Sequence, residues 1–410
     1  MQNTHTKYKN TELGLIPEDW EIKELGKNSF ITKLAGFEYT LHFNSYKDKG
    51  EIIVIRGTNI THNKLDLKDI RTIPRKTSNF LLRSKLYKND LVFAYVGTIG
   101  PIFLVEEDDR FHLGPNTSKI TVNKELNSKF LFHYFTSSYL KKEIIEHTSI
   151  GAQPSLSMSK IRSFKIIVPP TLSEQTAIAT ALSDTDALIF SLEQLIAKKR
   201  AIKQGAMQEL LRPKDGWEMK KLGEIVTFLK GKGLSKSSLN NDGKFKCIHY
   251  GELFTRYNEK ITHIISRTDV GSNCIFSCTN DILMPTSDVT PNGLATASCI
   301  KENGIILGGD VLIIRPYRNT IDGIFFAYHI KRNRNQIMKL VSGSTVYHLY
   351  GSSLYNFEIS YPQMEQQTRI ATFLSDMDTE IENLENKLHK YKQIKQGMMQ
   401  QLLTGKIRLI

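Results

Sequence analysis

The sequence predicts an α+β protein in which two mixed α/β blocks are separated by two long antiparallel, coiled-coil-like helices, written as an internal pseudo-twofold repeat. Three observations carry this. A 37-residue segment occurs twice, a short tryptophan-bearing segment also occurs twice, and the sequence between is rich in short β-type runs and turn residues.

Taken in order, residues 1–170 form a first block, 171–211 a first long helix, 212–362 a second block, and 363–410 a second long helix with a C-terminal tail. Each block opens on a strand, WEIKELG from Trp20 and WEMKKLG from Trp217, and these hold the only two tryptophans of the chain. Runs such as EIIVIRG, DLVFAYVG, CIHYGEL and DVLIIRP, separated by Gly, Asn, Asp and Pro, predict further short strands. Late in each block a helical pattern covers 129–147 and 325–341. Each block closes on an extended run and a proline, SFKIIVPP (163–170) and NFEISYP (356–362), since proline lacks the N–H that a continuing ladder needs.

The long repeats, QTAIATALSDTDALIFSLEQLIAKKRAIKQGAMQELL (175–211) and QTRIATFLSDMDTEIENLENKLHKYKQIKQGMMQQLL (367–403), align without gaps at an offset of 192 and agree at 21 of 37 positions. In the second, Leu374, Met377, Ile381, Leu384, Leu388, Tyr391, Met398 and Leu402 fall on alternating steps of three and four, interrupted only by Lys395. The first has Leu182, Thr185, Ile189, Leu192, Ile196 and Leu210 at matching places, with Lys199, Lys203 and Ala206 weakening its lower part. A 37-residue helix is about 55 Å long. Such a helix, apolar along one seam, needs a partner: the other copy lying antiparallel, or the block each helix caps. Ser183-Asp184 and Ser375-Asp376 are also helix-start signals, so each segment reads either as one helix or as a short helix followed by a longer one from near Asp186 and Asp378.

Composition narrows the function. No apolar run approaches the roughly 20 residues of a membrane helix, and the polar start MQNTHTKYKNTELG has no signal-peptide core, which predicts a cytoplasmic protein without membrane association. Cys247, Cys274, Cys278 and Cys299 lack CxxC spacing, so neither a disulfide framework nor a zinc ribbon is predicted, and no metal. The net charge of +13 on a cytoplasmic chain points to a polyanion, most often nucleic acid.

The chain carries little recognisable catalytic chemistry. There is no Walker A loop, since GKGLSKS (231–237) lacks its spacing, no GxGxxG fingerprint and no amino-methyltransferase motif. The histidines have no triad companions that the sequence places, and the predicted catalytic and cofactor inventory is empty. Basic residues in the blocks suit phosphate contacts: Lys64, Arg71, Arg75 and Lys76 in the first, Lys232, Lys236 and Arg256 beside Tyr257 in the second. Candidates for reading bases are Gln153, Thr286, Ser287, Asp288, Tyr347 and His348.

The paired segments SEQTAIATALSDTD…IKQGAMQELL and EQQTRIATFLSDMD…IKQGMMQQLL, the IPEDW opening and the block ends SFKIIVPP and NFEISYP together resemble the specificity subunits of type I restriction-modification systems. The resemblance covers residues 12–405. It implies two target-recognition domains held apart by two antiparallel helices, each reading one half of a bipartite, non-palindromic double-stranded DNA site. It also implies that the helices dock two methyltransferase subunits, joined by restriction-translocase subunits, and that S-adenosylmethionine, ATP and magnesium belong to those partners. The specificity subunit itself catalyses nothing. Two competing readings are a protein-binding adaptor, which would bind without steep salt dependence, and a self-contained DNA-modifying enzyme, which the missing motifs oppose.

IKQGAMQELL (202–211) and IKQGMMQQLL (394–403) each carry a glycine that costs about 1 kcal/mol in a helix interior. Gly205 and Gly397 stand three residues beyond Ile202 and Ile394, on the same helical side. They suit close approach of the paired helices or of a docking partner, with fraying near the helix ends as the alternative.

Overall fold

A computed structural model describes residues 7–43, 50–149 and 153–410. The first six residues of the polar N-terminal stretch therefore lie outside the described residues. The chain divides into two compact units, residues 1–191 with 388–410, and residues 192–387. Each unit thus takes the N-terminal portion of one long helix and the C-terminal portion of the other.

In the first unit the opening strand, Glu21–Glu24, pairs antiparallel with Lys165–Val168, the extended run before the proline break. Trp20, immediately before it, is fully buried. An antiparallel sheet has the order Ile102–Leu104, Leu91–Ala94, Thr117–Val122, Ser29–Lys33, with the apolar LVFA strand inside it and buried along its whole length. A second sheet has Ile52–Ile55 at its centre, parallel to Phe111–Leu113 and antiparallel to Arg71–Ile73. The helical run at 129–147 is two helices, Ser128–Thr136 and Ser138–His147, because the Ser137 side chain accepts the Leu140 N–H and caps the second. The core gathers Trp20, Phe93, Phe130, Phe135, Phe164 and Ile166 around Ile178 and Leu182 of the first long helix. Leu402 and Leu403, at the far end of the second long helix, complete it.

The second unit repeats this plan in divergent sequence. Glu218–Lys221 pairs with Glu358–Tyr361. Its main sheet runs Val226–Lys230, Val311–Pro316, Ile282–Pro285, Ser298–Cys299, the same chain order as in the first unit read from Ser29–Lys33. Its other sheet again has a parallel pair, Phe245–Ile248 with Ile306–Leu307. The helix Gly323–Arg332 is capped by Asp322 as Ser128–Thr136 is by Asn127. Its core joins Phe325, Phe326 and Leu354 to Ile370 and Leu374 of the second long helix and to Met207 and Leu211 from the end of the first.

The long helices, Leu172–Leu210 and Met364–Leu402, are uninterrupted at 39 residues each. The Ser-Asp pairs at 183–184 and 375–376 do not restart them. Ser183 turns its hydroxyl to the Nε2 of His133, 2.9 Å away, so it does not cap the backbone, and Ser375 is buried. Within each unit the two helix segments run antiparallel. In the first, Thr185 meets Met398 while Asp186 meets Lys395, and in the second Lys199 meets Glu380 while Lys203 meets Asp378. Leu182 and Leu374 are each sealed from solvent, a burial that stabilises by about 2 kcal/mol apiece. Among the described residues no helix is long and apolar enough to cross a membrane.

Candidate nucleic-acid interface

In both units, the second main-sheet strand in chain order runs out into a surface loop, and that loop is pinned to the segment ahead of the closing strand. In the first unit the strand Leu91–Ala94 leads into Tyr95–Pro101, where Gly97 and Gly100 adopt φ of +78° and +110°, backbone that favours glycine. The Gly97 N–H donates to the Pro154 carbonyl at 2.9 Å, the Leu156 N–H donates to Tyr95 at 2.9 Å, and Val96 bridges Ser155. Gln153 stands exposed beside Gly97.

In the second unit Ile282–Pro285 leads into Ser287–Asp288, which pairs antiparallel with Tyr347–His348, Ser287 opposite His348 and Asp288 opposite Tyr347. The Leu349 N–H donates to the Thr286 carbonyl at 3.0 Å. The rings of His348 and Tyr350 stack at 5.8 Å. The residues named from sequence thus meet in one loop pair in this unit, and in the other Gln153 immediately precedes the equivalent segment, 154–156.

Not all of them face outward. Thr286 is buried, with its hydroxyl on Asp310. Asp288 shapes its own turn: its carboxylate accepts the Val289 N–H at 2.7 Å and the Thr290 hydroxyl at 3.0 Å. Ser287, Tyr347 and His348 are half-buried and carry the polar atoms left at the surface of this pair.

The basic candidates are more scattered. Lys64 lies over the Phe190 ring, 4.4 Å from its centroid, and so braces its hairpin against the first long helix. Arg75 pairs with Glu51 at 3.3 Å, Arg256 with Glu252 at 3.8 Å, and Lys232 donates to Asn273 at 2.5 Å. Arg71 is half-buried on its strand, while Lys76 and Lys236 are exposed. Tyr257 accepts the Ile265 N–H, and burial pushes its phenol up to about 12. A further cation of this stretch, Lys85, is buried and pairs with Asp109 at 2.5 Å.

Along the helices, Leu182, Ile189, Leu192, Ile196, Leu374, Ile381 and Leu402 are buried, and Leu210, Leu384 and Leu388 half-buried. Ile202 and Ile394 are 48 % and 41 % exposed. A Cβ added at Gly205 or Gly397 would meet nothing within 4 Å, so neither glycine serves close packing of the two helices. Sequence reasoning missed what the interrupting lysines do. Lys203 binds Asp378 and Lys395 binds Asp186, the same pair written twice at the offset of 192. That shared offset was the signal that could have found them.

Each aspartate also touches its block. His133 lies with Nδ1 3.9 Å from Asp186, and burial, opposed by Asp186, holds its imidazole down at about 4. Tyr328 donates its hydroxyl to Asp378 at 2.6 Å, and burial together with that carboxylate pushes its phenol up. Elsewhere His112 is sealed between the hydroxyls of Ser78 and Ser84, and burial beside Lys119 and Lys85 lowers it to about 3. Among the described residues no group of three or more His, Cys, Asp or Glu side chains is placed to hold a metal.

Two stretches, residues 17–204 and 214–396, match the type I restriction modification DNA specificity domain. A putative type I restriction enzyme MjaX specificity subunit from Methanocaldococcus jannaschii is 26 % identical, over 98 % of this chain and 97 % of that protein. The type I restriction enzyme MjaVIII specificity subunit of the same organism is 24 % identical, over 96 % and 94 %. In fold, the chain is similar to the crystal structure of a type I restriction-modification S subunit from M. genitalium, with a TM-score of 0.63 and 16 % identity over 98 % of this chain and 97 % of that one. A chain from a structure of the type I R-M system gives a TM-score of 0.52 at 15 % identity, over 96 % and 99 %. With two matches that together span most of its length, this chain belongs to the family of type I restriction-modification DNA specificity domains and carries two copies of that domain.

Proposed function

We propose that the chain is a non-catalytic specificity subunit in which each unit reads one half of a bipartite, asymmetric double-stranded DNA target through its pinned loop pair. The observation that carries this is the loop construction itself: the same two chain segments are joined in both units, yet one presents Gln153 beside Gly97 and the other Ser287, Tyr347 and His348. A shared frame with different polar tips suits two separate readings of base edges. The chain's excess of positive charge supplies the phosphate attraction that any such contact rests on.

The long helices dock two methyltransferase subunits in this reading, with restriction-translocase subunits joining the complex. Methyl transfer and cleavage, with their S-adenosylmethionine, ATP and magnesium, reside in those partners, which work with this chain in the cytoplasm. Exposed Ile202 and Ile394, at equivalent places beside glycines with open space above them, suit such docking. The test is methylation mapping in cells that express the chain with its methyltransferase subunit. Modified bases should fall in a motif of two defined elements with an unspecified gap, and modification at a single short element would overturn the reading.

A further inference from the structure

We infer that Gln175 and Gln367 are positioning residues, each locking the DNA-reading block of its own unit onto the long helix that follows it; the inference rests on the half-target reading above. Both side chains are 1 % exposed. The Gln175 amide donates to the carbonyls of Glu125 at 3.1 Å and Pro169 at 3.2 Å, while its oxygen accepts the Asn127 N–H at 2.8 Å. Gln367 donates to Thr320 at 3.1 Å and Pro362 at 2.9 Å, and accepts the Asp322 N–H at 2.8 Å.

Three segments therefore meet on one primary amide: the proline after the closing strand, the turn before the block helix, and the cap of that helix. Asn127 and Asp322 are those caps, and each is held a second time by the next helix residue, Asn127 donating to Thr176 at 3.0 Å and Thr368 donating to Asp322 at 3.3 Å. Only an amide offers two donors and an acceptor here. A carboxylate would face two carbonyls, and an apolar side chain would leave two carbonyls and one N–H, the proline carbonyl among them buried, without this partner. The device recurs although the cap is Asn in one unit and Asp in the other.

The clamp leads to the reading loop. In the first unit Phe135, on the helix capped by Asn127, packs its ring 5.3 Å from that of Phe93, whose strand runs into Tyr95–Pro101. In the second, Phe326 on the helix capped by Asp322 shares a core with Met284, two residues before Thr286. The amide thus sets where the loop stands with respect to the long helix.

The test maps methylation in cells expressing the full chain with its methyltransferase subunit, comparing wild type with Gln175→Leu and Gln367→Leu. Each variant should lose about tenfold in discrimination at one half of the motif only, the equivalent of one net hydrogen bond, and the two should relax opposite halves. Because the readout compares the two halves within one sample, a general loss of folded protein does not imitate it. Should a leucine variant fail to accumulate, Gln175→Asn and Gln367→Asn, which keep an uncharged amide one methylene short of its partners, carry the same expectation. A bipartite wild-type motif with both halves equally affected, or unaffected, would overturn the positioning role alone. A wild-type pattern lacking two elements would instead remove the reading on which it rests.

Discussion

The Nζ of Lys395 donates to Oδ1 of Asp186 at 2.5 Å, joining the end of the second long helix to the start of the first within one unit. Lys203 makes the equivalent bond to Asp378 in the other unit. These are the lysines that interrupt the apolar seam. A lysine at a seam position costs stability unless its ammonium finds a partner, and here the partner is supplied once per repeat. The pairs pin the register of the two antiparallel segments where leucine contacts alone would tolerate a slip.

The two pairs should differ in strength. Lys203 and Asp378 have side chains 11 % and 23 % exposed, against 21 % and 39 % for Lys395 and Asp186. Lys203→Met, which leaves a largely desolvated carboxylate behind, should cost about 3 kcal/mol, and Lys395→Met about 1 kcal/mol. Double-mutant cycles read by urea unfolding check this, and an equal or reversed ranking would contradict it.

Gly205→Ala and Gly397→Ala should each stabilise the isolated chain by about 1 kcal/mol, since both positions are helical and a Cβ would meet nothing. If a docking partner uses that open space, the same variants weaken assembly with the methyltransferase subunit while raising the unfolding midpoint. Unchanged assembly would leave the glycines without a docking role.

Acid should destabilise the fold through its buried histidines. His112 and His329 titrate near 3 and His133 near 4 in the folded chain, lowered first by burial, against 6.5 unfolded. Their folded pKa values are depressed, so their neutral burial is free of penalty above pH 6.5, and stability falls as the pH drops from there towards 3. Each contributes up to about 1.4 kcal/mol per pH unit in that window. The urea midpoint should fall between pH 7 and pH 5, and His112→Gln should make that fall shallower. A midpoint flat across this range would count against the assignment.

In the proposed function, the loop pair of the second unit separates framework residues from residues that read bases. Thr286→Val should lower stability, since its buried hydroxyl bonds Asp310, and leave base preference intact. His348→Ala should do the reverse, weakening DNA binding with a change in preferred sequence of about 1–3 kcal/mol at one base pair. Binding titrations on single-substituted duplexes distinguish the two, and a Thr286 variant with altered preference would reverse the roles.

Much of this architecture was legible because the chain states it twice. Trp20 and Trp217 marked the opening strands, and SFKIIVPP and NFEISYP the strands that pair with them. The helix periodicity marked Leu182 and Leu374 as core. Periodicity says that a face is buried but not by what, so nothing in it told that Leu402 and Leu403 finish the core of the first unit, or Met207 and Leu211 that of the second. Likewise a lysine count is blind to local partners, and Lys64 on Phe190 and Arg75 on Glu51 needed the fold to be seen. The main-sheet order, shared by both units, was hidden because strands of two to six residues pair across separations that propensity does not encode.

The most direct test of the account exchanges residues 21–170 for the corresponding block of a relative with a different target and maps methylated bases in cells expressing the chimaera with its methyltransferase subunit. Separate reading of one half-target by each unit predicts one new half-motif beside the unchanged other half. A change in both halves, or in neither, would contradict it.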